Sequence, residues 1–305
     1  MSRGCVKKVV FFGTTSSVFV VRTAEELRTR GTDVQIIDPY LASSRLAGKS
    51  GLRKLLRLCY RFWYTRQAIR QLDREQTVVI HSLGIELFWV SLLLKRHFKK
   101  VVGIAYGSDI LRRRKQLDWF LCRGLKRLDC IAATNANVRD VITESFPSTA
   151  GKEALVIRFG LTVFDALEKL RNVSPEEARI KLGYLADKPL ICLGYSASSG
   201  QRQQELIDFF AEQPGLHEKY QFVVPVQYGS SEVRLAVEQD CRRVNKMVGS
   251  ELFRPLTLFQ DPDTSALMRL ATTVLINHSI SDAFSGTVQE AVYAGNMVLA
   301  GTHLP

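Results

Sequence analysis

The stretch "SPEEARIKLGYLADKPLICLGY", residues 174–195, decides the fold. Ser174 suits an N-cap and Pro175 the first helical position, where the missing N–H would be unpaired anyway. Glu177 can return a capping-box hydrogen bond, and Gly183 stops the helix. PLICLG (189–194) then reads as a buried strand. This helix and strand restart, late in the chain, a β/α alternation that begins near residue 7. The restart predicts two doubly wound halves joined near 165–175, not one continuous sheet, with ligands at the carboxyl ends of the strands.

Upstream, KKVVFFG (7–13), DVQIID (33–38), VVIHS (78–82), VVGIAYG (101–107), CIAAT (130–134) and ALVIRFG (154–160) read as strands. Small residues Thr14 to Ser17 follow the first strand, then a helix to about Arg30, and further helical runs are expected near 84–96, 116–128 and 136–145. Downstream, QFVVPV (221–226), TTVLIN (272–277) and MVLAG (297–301) continue the strands, with helices near 202–213 and 231–247. Short apolar runs between helices imply parallel sheets covered on both faces. The fold class is therefore α/β, with a first domain over 1–165 and a second over 166–305. The chain stops just after a strand, so the second domain is expected to be incomplete at its C-terminal end.

Charge separates the two halves. Residues 1–150 carry 27 Lys/Arg against 12 Asp/Glu, and residues 151–305 carry 15 against 18. The first half is thus biased toward an anionic partner. Six cysteines show no CxxC pair and no zinc-like spacing, which points to incidental thiols. No apolar run is long enough to span a membrane, and the apolar N-terminal run reads as a strand, not a signal peptide.

The stretch "SDAFSGTVQEAVYAG" (281–295) carries the chemistry. A loop ends in a helix that starts near Ser285 or Gly286. Its first N–H groups are unpaired and suited to phosphate. Gly286 lets a ligand approach the backbone, and Ser285 and Thr287 add hydroxyls. Glu290, one turn inside, can accept hydrogen bonds from sugar hydroxyls, and Asp282 can reach a group on the other side of the phosphates. A phosphate flanked by hydroxyl-bearing rings describes a nucleotide sugar. The alternative is a turn aspartate and a solvated helix glutamate.

These residues resemble the donor-site signature of GT-B glycosyltransferases of the family-4 type. His278-Ser279 stand where that family has Pro-Ser, Asp282 where it has its first Glu, Glu290 where it has its second, and Phe284 and Gly295 also match. Asp for Glu is a departure. "LDCIAATNANVRDVI" (128–142), "ALVIRFGL" (154–161) and "YGSDIL" (106–111) also resemble members of the family. A second departure is the loop after residue 193. The family has Gly-Arg there and a Lys five residues on, both on the donor phosphates. Here Tyr195 and Gly200 hold those positions. Ser196 and the rest of the Ser/Gly-rich loop, or Arg202, are the substitutes. The resemblance implies two Rossmann-like domains facing a cleft and a metal-independent, nucleotide-sugar-dependent hexosyltransferase.

In the first half, Gly13 can let a substrate approach the backbone, but no GxGxxG fingerprint marks a dinucleotide cofactor, and none is expected. His81, Tyr106 and Asp109 end strands, where His81 or Asp109 could orient or deprotonate an acceptor hydroxyl. A structural histidine and an Asp N-cap are the alternatives. No His/Asp/Glu cluster has metal-ligand spacing.

"RLAGKSGLRKLLRLCYRFWYTRQAIR" (45–70) lies in a stretch, 41–72, with eight Lys/Arg and no acid. Leu52, Leu55, Leu56, Cys59 and Trp63 share one helical face, and Arg53, Arg57 and Arg61 another. A basic amphipathic helix with aromatics reads as a membrane-surface segment, or else packs on its own domain. No nucleic-acid recognition motif appears.

The sequence therefore predicts a glycosyltransferase in polysaccharide biosynthesis, cytoplasmic and peripheral at the inner face of the cell membrane. It would move a sugar from a nucleotide-sugar donor to a glycan or glycolipid acceptor at an anionic membrane surface. The alternatives are a nucleotide-sugar epimerase on the same fold and a catalytically weak GT-B binding partner.

Overall fold

The computed structural model describes residues 8–46, 50–84, 98–113, 115–158, 160–258, 260–279 and 285–302. The chain divides into two units, residues 1–159 and 160–304. In the first, strands β1 (Lys8–Phe12), β2 (Asp33–Ile37), β3 (Thr77–His81), β4 (Lys100–Ala105), β5 (Cys130–Ala133) and β6 (Glu153–Val156) form one sheet in the order β2-β1-β3-β4-β5-β6. Helices α1 (Val18–Thr29), α2 (Pro39–Ala42), α3 (Gly51–Arg70), α4 (Ser108–Leu111), α5 (Asp118–Leu125) and α6 (Ala136–Ser145) connect them.

The second unit holds β7 (Leu190–Leu193), β8 (Gln221–Pro225), β9 (Phe253–Leu256), β10 (Thr272–Asn277) and β11 (Met297–Ala300), in the order β11-β10-β7-β8-β9. Its helices are α7 (Thr162–Lys169), α8 (Pro175–Lys181), α9 (Gln203–Ala211), α10 (Pro214–His217), α11 (Ser231–Val248), α12 (Pro262–Ala271) and α13 (Gly286–Tyr293).

Every strand pairing is parallel. The central strands β5, β7 and β8 are buried throughout, as sheets covered on both faces require. In the second unit Phe210, Phe222 and Phe253 stack at 4.7 and 4.9 Å on one face, while Ala178, Leu190, Met268, Leu275 and Ala291 form the other core. A fully buried Phe contributes about 1.5–3 kcal/mol, so this stack is a substantial anchor of that sheet.

The strand order reverses between β1 and β3 in the first sheet and between β7 and β10 in the second. In a doubly wound sheet such a reversal is where a crevice opens at the carboxyl ends of the strands.

Each predicted strand appears within four residues at each end, and one observed strand was not predicted. β9, Phe-Arg-Pro-Leu, escapes the pattern because it is short, polar and contains Pro255. It is tolerated because β9 is the outermost strand, where a missing N–H breaks no ladder. The helix expected near 84–96 falls almost wholly in 85–97, outside the described residues. The capping box at Ser174 is only half formed. Ser174 Oγ accepts from the Glu177 N–H at 3.1 Å, but the Glu177 carboxylate turns forward to Lys181.

Candidate functional site

In the first unit the crevice between β1 and β3 is lined by Gly13 and His81. They pass so closely that a Cβ on Gly13 would lie 3.0 Å from the His81 Cβ. His81 is 5% exposed, and its Nδ1 lies 2.6 Å from the Tyr106 hydroxyl, which comes from the end of β4. Its Nε2 is buried without a hydrogen-bond partner among the described residues. Burial pushes the imidazole pKa down to about 4, so the ring is neutral near pH 7. Burial, then the nearby Asp109 charge, pushes the Tyr106 phenol up.

Asp109 accepts from the backbone N–H groups of Leu83 at 2.7 Å, Gly107 at 2.8 Å and Tyr106 at 3.1 Å. That carboxylate clamps the loops after β3 and β4 together. Ser82, directly after His81, has φ of 71°, a left-handed conformation that a non-glycine residue holds only when its surroundings enforce it.

Asp38, which sequence reasoning passed over, ties in the third loop. It accepts from the Thr15 N–H at 2.6 Å, the Thr15 hydroxyl at 2.7 Å, and the N–H groups of Tyr40 and Leu41 at 2.9 Å each. Burial alone would raise its pKa; the hydrogen bonds from Leu41 and Thr15 outweigh that and hold it below the usual range. The signal was legible as Asp-Pro directly after a strand, an N-cap followed by proline at N1.

In the second unit the crevice lies between β7 and β10. Gly194 directly follows β7 with φ of 71°, and its N–H donates to the Ile276 carbonyl of β10 at 2.8 Å. The Gln201 side chain folds under the following loop and accepts from the Tyr195 N–H at 3.2 Å. Ser196 is buried. Ala197 is stitched to the loop after β8, donating to Tyr228 and accepting from Ser230. Gly229 there approaches so closely that a Cβ would sit 2.2 Å from the Ala197 carbonyl oxygen. The loop that departs from the family pattern is thus a built, buttressed turn. Arg202 grips Glu205 at the surface through one edge of its guanidinium, Nε–H and Nη2–H each donating to one carboxylate oxygen.

Beyond β10, the His278 Nδ1 and Ser279 Oγ are buried without a partner among the described residues. Asp282 and Phe284 lie outside the described residues. Ser285 caps α13, accepting from the Val288 N–H at 3.3 Å. Glu290 is 8% exposed. Its Oε2 takes the Arg269 Nε–H at 3.1 Å, and its Oε1 lies 3.8 Å from where a Gly286 Cβ would be. One carboxylate oxygen is thus anchored while the other is turned toward the mouth of the helix. Arg269, on α12, also reaches the Thr287 hydroxyl at 3.4 Å. Sequence reasoning missed Arg269, since only tertiary packing brings α12 against α13.

The structure thus gathers Gly13, His81, Tyr106 and Asp109 at one crevice. Tyr195, Ser196 and His278 gather around the ends of β7 and β10, with Ser285, Gly286, Thr287 and Glu290 on α13. Arg53, Arg57 and Arg61 lie apart, on α3. Among the described residues no three His, Cys, Asp or Glu side chains form a metal-holding group.

The chain's fold is similar to that of several solved enzymes. It overlays over 98% of its length on an E. coli trehalose-6-phosphate protein bound with UDP-2-fluoro glucose, covering 85% of that chain at 12% identity and a TM-score of 0.73. A sucrose-phosphate synthase from Thermosynechococcus elongatus matches over 97% of this chain and 81% of its own, at 14% identity and a TM-score of 0.72. A UDP-forming alpha,alpha-trehalose-phosphate synthase from Burkholderia xenovorans, in complex with glucose-6-phosphate, matches over 98% and 86%, at 11% identity and a TM-score of 0.68. No family model and no curated protein matches the sequence. Two parallel Rossmann-like units, overlaying along nearly the whole chain on these synthases, give this protein the GT-B fold.

Proposed function

We propose that this protein is a glycosyltransferase that moves a sugar from a nucleotide-sugar donor to an acceptor hydroxyl, and that the acceptor is a lipid-linked or surface glycan at the cytoplasmic membrane face. The second unit holds the donor. The observation that carries this reading is Glu290, a buried carboxylate with one oxygen fixed by Arg269 and the other turned toward the start of α13. A carboxylate held this way accepts hydrogen bonds from vicinal sugar hydroxyls without reorganising. The first N–H groups of α13, with Ser285 and Thr287, take the phosphates, and the helix dipole stabilises the charge that grows on the leaving diphosphate. The turn at Tyr195–Ser196 and His278 flank the donor, and Arg202 exchanges Glu205 for a phosphate. Asp282 takes the place of the first acid of the signature.

In the first unit, neutral His81 meets the acceptor. Tyr106 fixes one ring nitrogen, leaving Nε2 to hydrogen-bond the reacting hydroxyl. Asp109 and Asp38 position the loops around it.

A thermal-shift panel of nucleoside diphosphates and their sugar conjugates tests the donor assignment, because a ligand that binds only the native state raises the melting temperature. One nucleotide should stabilise the wild-type protein. Glu290→Ala should weaken that binding by roughly tenfold to over a hundredfold, the worth of a charge-assisted hydrogen bond. Unchanged affinity would remove Glu290 from the site. A second reading, a soluble sugar-phosphate acceptor, is favoured by the glucose-6-phosphate complex of the Burkholderia enzyme and the basic charge of the first unit.

A further inference from the structure

Helix α3 is 20 residues long, yet Thr65 is its sole buried residue. Leu52 (69% exposed), Leu55, Leu56 and Trp63, together with Cys59, form a solvent-facing stripe at the spacing of one helical face. The helix carries six Lys/Arg and no acid. Their placement differs from a simple division into an apolar face and a basic face. Arg61 turns inward, its guanidinium stacked 4.1 Å over the Tyr40 ring and donating to Ser43 Oγ at 2.9 Å. Arg57 reaches back to the Leu46 carbonyl. Arg53, Arg66 and Arg70 are exposed. By helical spacing Arg66 and Arg70 continue the line of the stripe, and Arg53 flanks it. No helix among the described residues is long and apolar enough to cross a membrane. An uncovered apolar stripe framed by bases with no acid is complementary to an anionic lipid surface, where side chains enter the acyl boundary and guanidinium groups meet headgroups.

We infer that α3 lies flat on anionic lipid with Leu52, Leu55, Leu56, Cys59 and Trp63 inserted, and that its inward arginines fasten the lipid surface to the acceptor loops. This rests on the membrane-acceptor reading above and names the device that serves it. The fastening is continuous: Arg61 grips Tyr40 and Ser43, the Tyr40 N–H is held by Asp38, and Asp38 holds Thr15 in the loop beside Gly13. Arg61 is therefore a positioning residue, not a lipid ligand. Docking brings the carboxyl end of the first sheet, with His81, to the bilayer.

The test is co-sedimentation with phosphatidylglycerol vesicles and, in parallel, phosphatidylcholine vesicles. Wild-type protein should bind the first far better than the second, with binding falling as salt rises. Replacing Leu55, Leu56 and Trp63 together by Gln should cut binding roughly a hundredfold or more. Those side chains are at least half exposed, so the melting temperature should hold. Arg53→Gln, Arg66→Gln and Arg70→Gln should each cost about fivefold. Trp63 emission should shift to the blue on phosphatidylglycerol, and Trp63→Phe should abolish the shift. Equal vesicle binding by the triple variant would overturn the inference. So would a wild-type dimer, seen by sedimentation, that the triple variant dissociates while neither binds vesicles; a second copy would then cover the stripe. Nucleotide-induced thermal stabilisation without lipid is measured on the same samples. Its survival alongside failed docking would leave the glycosyltransferase reading standing.

Discussion

The two crevices obey one topological rule and use opposite electrostatics. Each lies where the strand order reverses, at β1/β3 in the first unit and β7/β10 in the second. The first lies in the half with the large positive charge, yet its central group is an imidazole held neutral by burial and paired with a phenol. The second lies in the nearly neutral half, yet centres on a buried Arg269–Glu290 ion pair beside a helix N-terminus. Net charge of a domain therefore says little about the chemistry of its site. It describes surface and partners, while the crevice is set by which side chains the strand ends carry.

The comparison breaks most readily at Arg269. Its side chain and that of Glu290 are 13% and 11% exposed. Removing one member of such a pair leaves an uncompensated buried charge, costing about 3–5 kcal/mol. Arg269→Met should lower the unfolding free energy, measured by denaturant titration, by that order. Adding Glu290→Leu to the same chain should recover most of the stability, because an apolar pair of similar size is often neutral or better. Nucleotide binding should stay lost in the double variant. If the double variant bound nucleotide normally, the pair would serve stability alone.

His81 gives the matching break in the first unit. Its pKa falls from 6.5 to about 4 on folding. The unfolded chain then binds more protons than the folded one between those values, so stability rises with pH across that window. The contribution is fully present above pH 6.5 and is lost as the pH falls toward 4. The full loss is about 3 kcal/mol at 1.36 kcal/mol per unit. Stability curves of wild type and His81→Asn should therefore diverge in slope between pH 6.5 and 4 and run parallel above it. Parallel curves throughout would mean the imidazole titrates normally.

Much of this architecture was legible before any coordinates. Strands such as PLICLG and QFVVPV are apolar runs between helices, and burial on both faces leaves them little else to be. Gly13, His81 and Gly194 could be placed at strand ends from sequence alone, because a strand's last residue needs no tertiary knowledge. Arg269 could not be placed. In "SALMRLATT" it looks like one polar position on an ordinary amphipathic helix, and its partner stands 21 residues on. Asp109 was legible as a residue at a strand end, but its hydrogen bonds to two separate loops were not. Arg57 and Arg61 were legible as basic but not as inward-facing, since the contacts that turn them come from Tyr40, Ser43 and Leu46 on the preceding segment.

The smallest effect sharpens the second crevice. Arg202 stands in the loop where the family pattern places its phosphate-binding Arg and Lys, but its guanidinium lies on Glu205, with side chains 40% and 52% exposed. An exposed pair of this kind contributes about 0–1 kcal/mol, so Arg202→Gln should leave the melting temperature nearly unchanged. For the same reason the pair gives way easily when a diphosphate, carrying more charge than one carboxylate, arrives nearby. Arg202→Gln should then weaken nucleoside-diphosphate binding about fivefold, the loss of one screened charge contact. Glu205→Gln should do the reverse, strengthening binding slightly by freeing the guanidinium. Opposite signs in the two variants, read by titration calorimetry, would place Arg202 on the donor. Two unchanged affinities would leave the phosphates to the N–H groups of α13 and the turn after Gly194, a donor site built almost wholly from backbone.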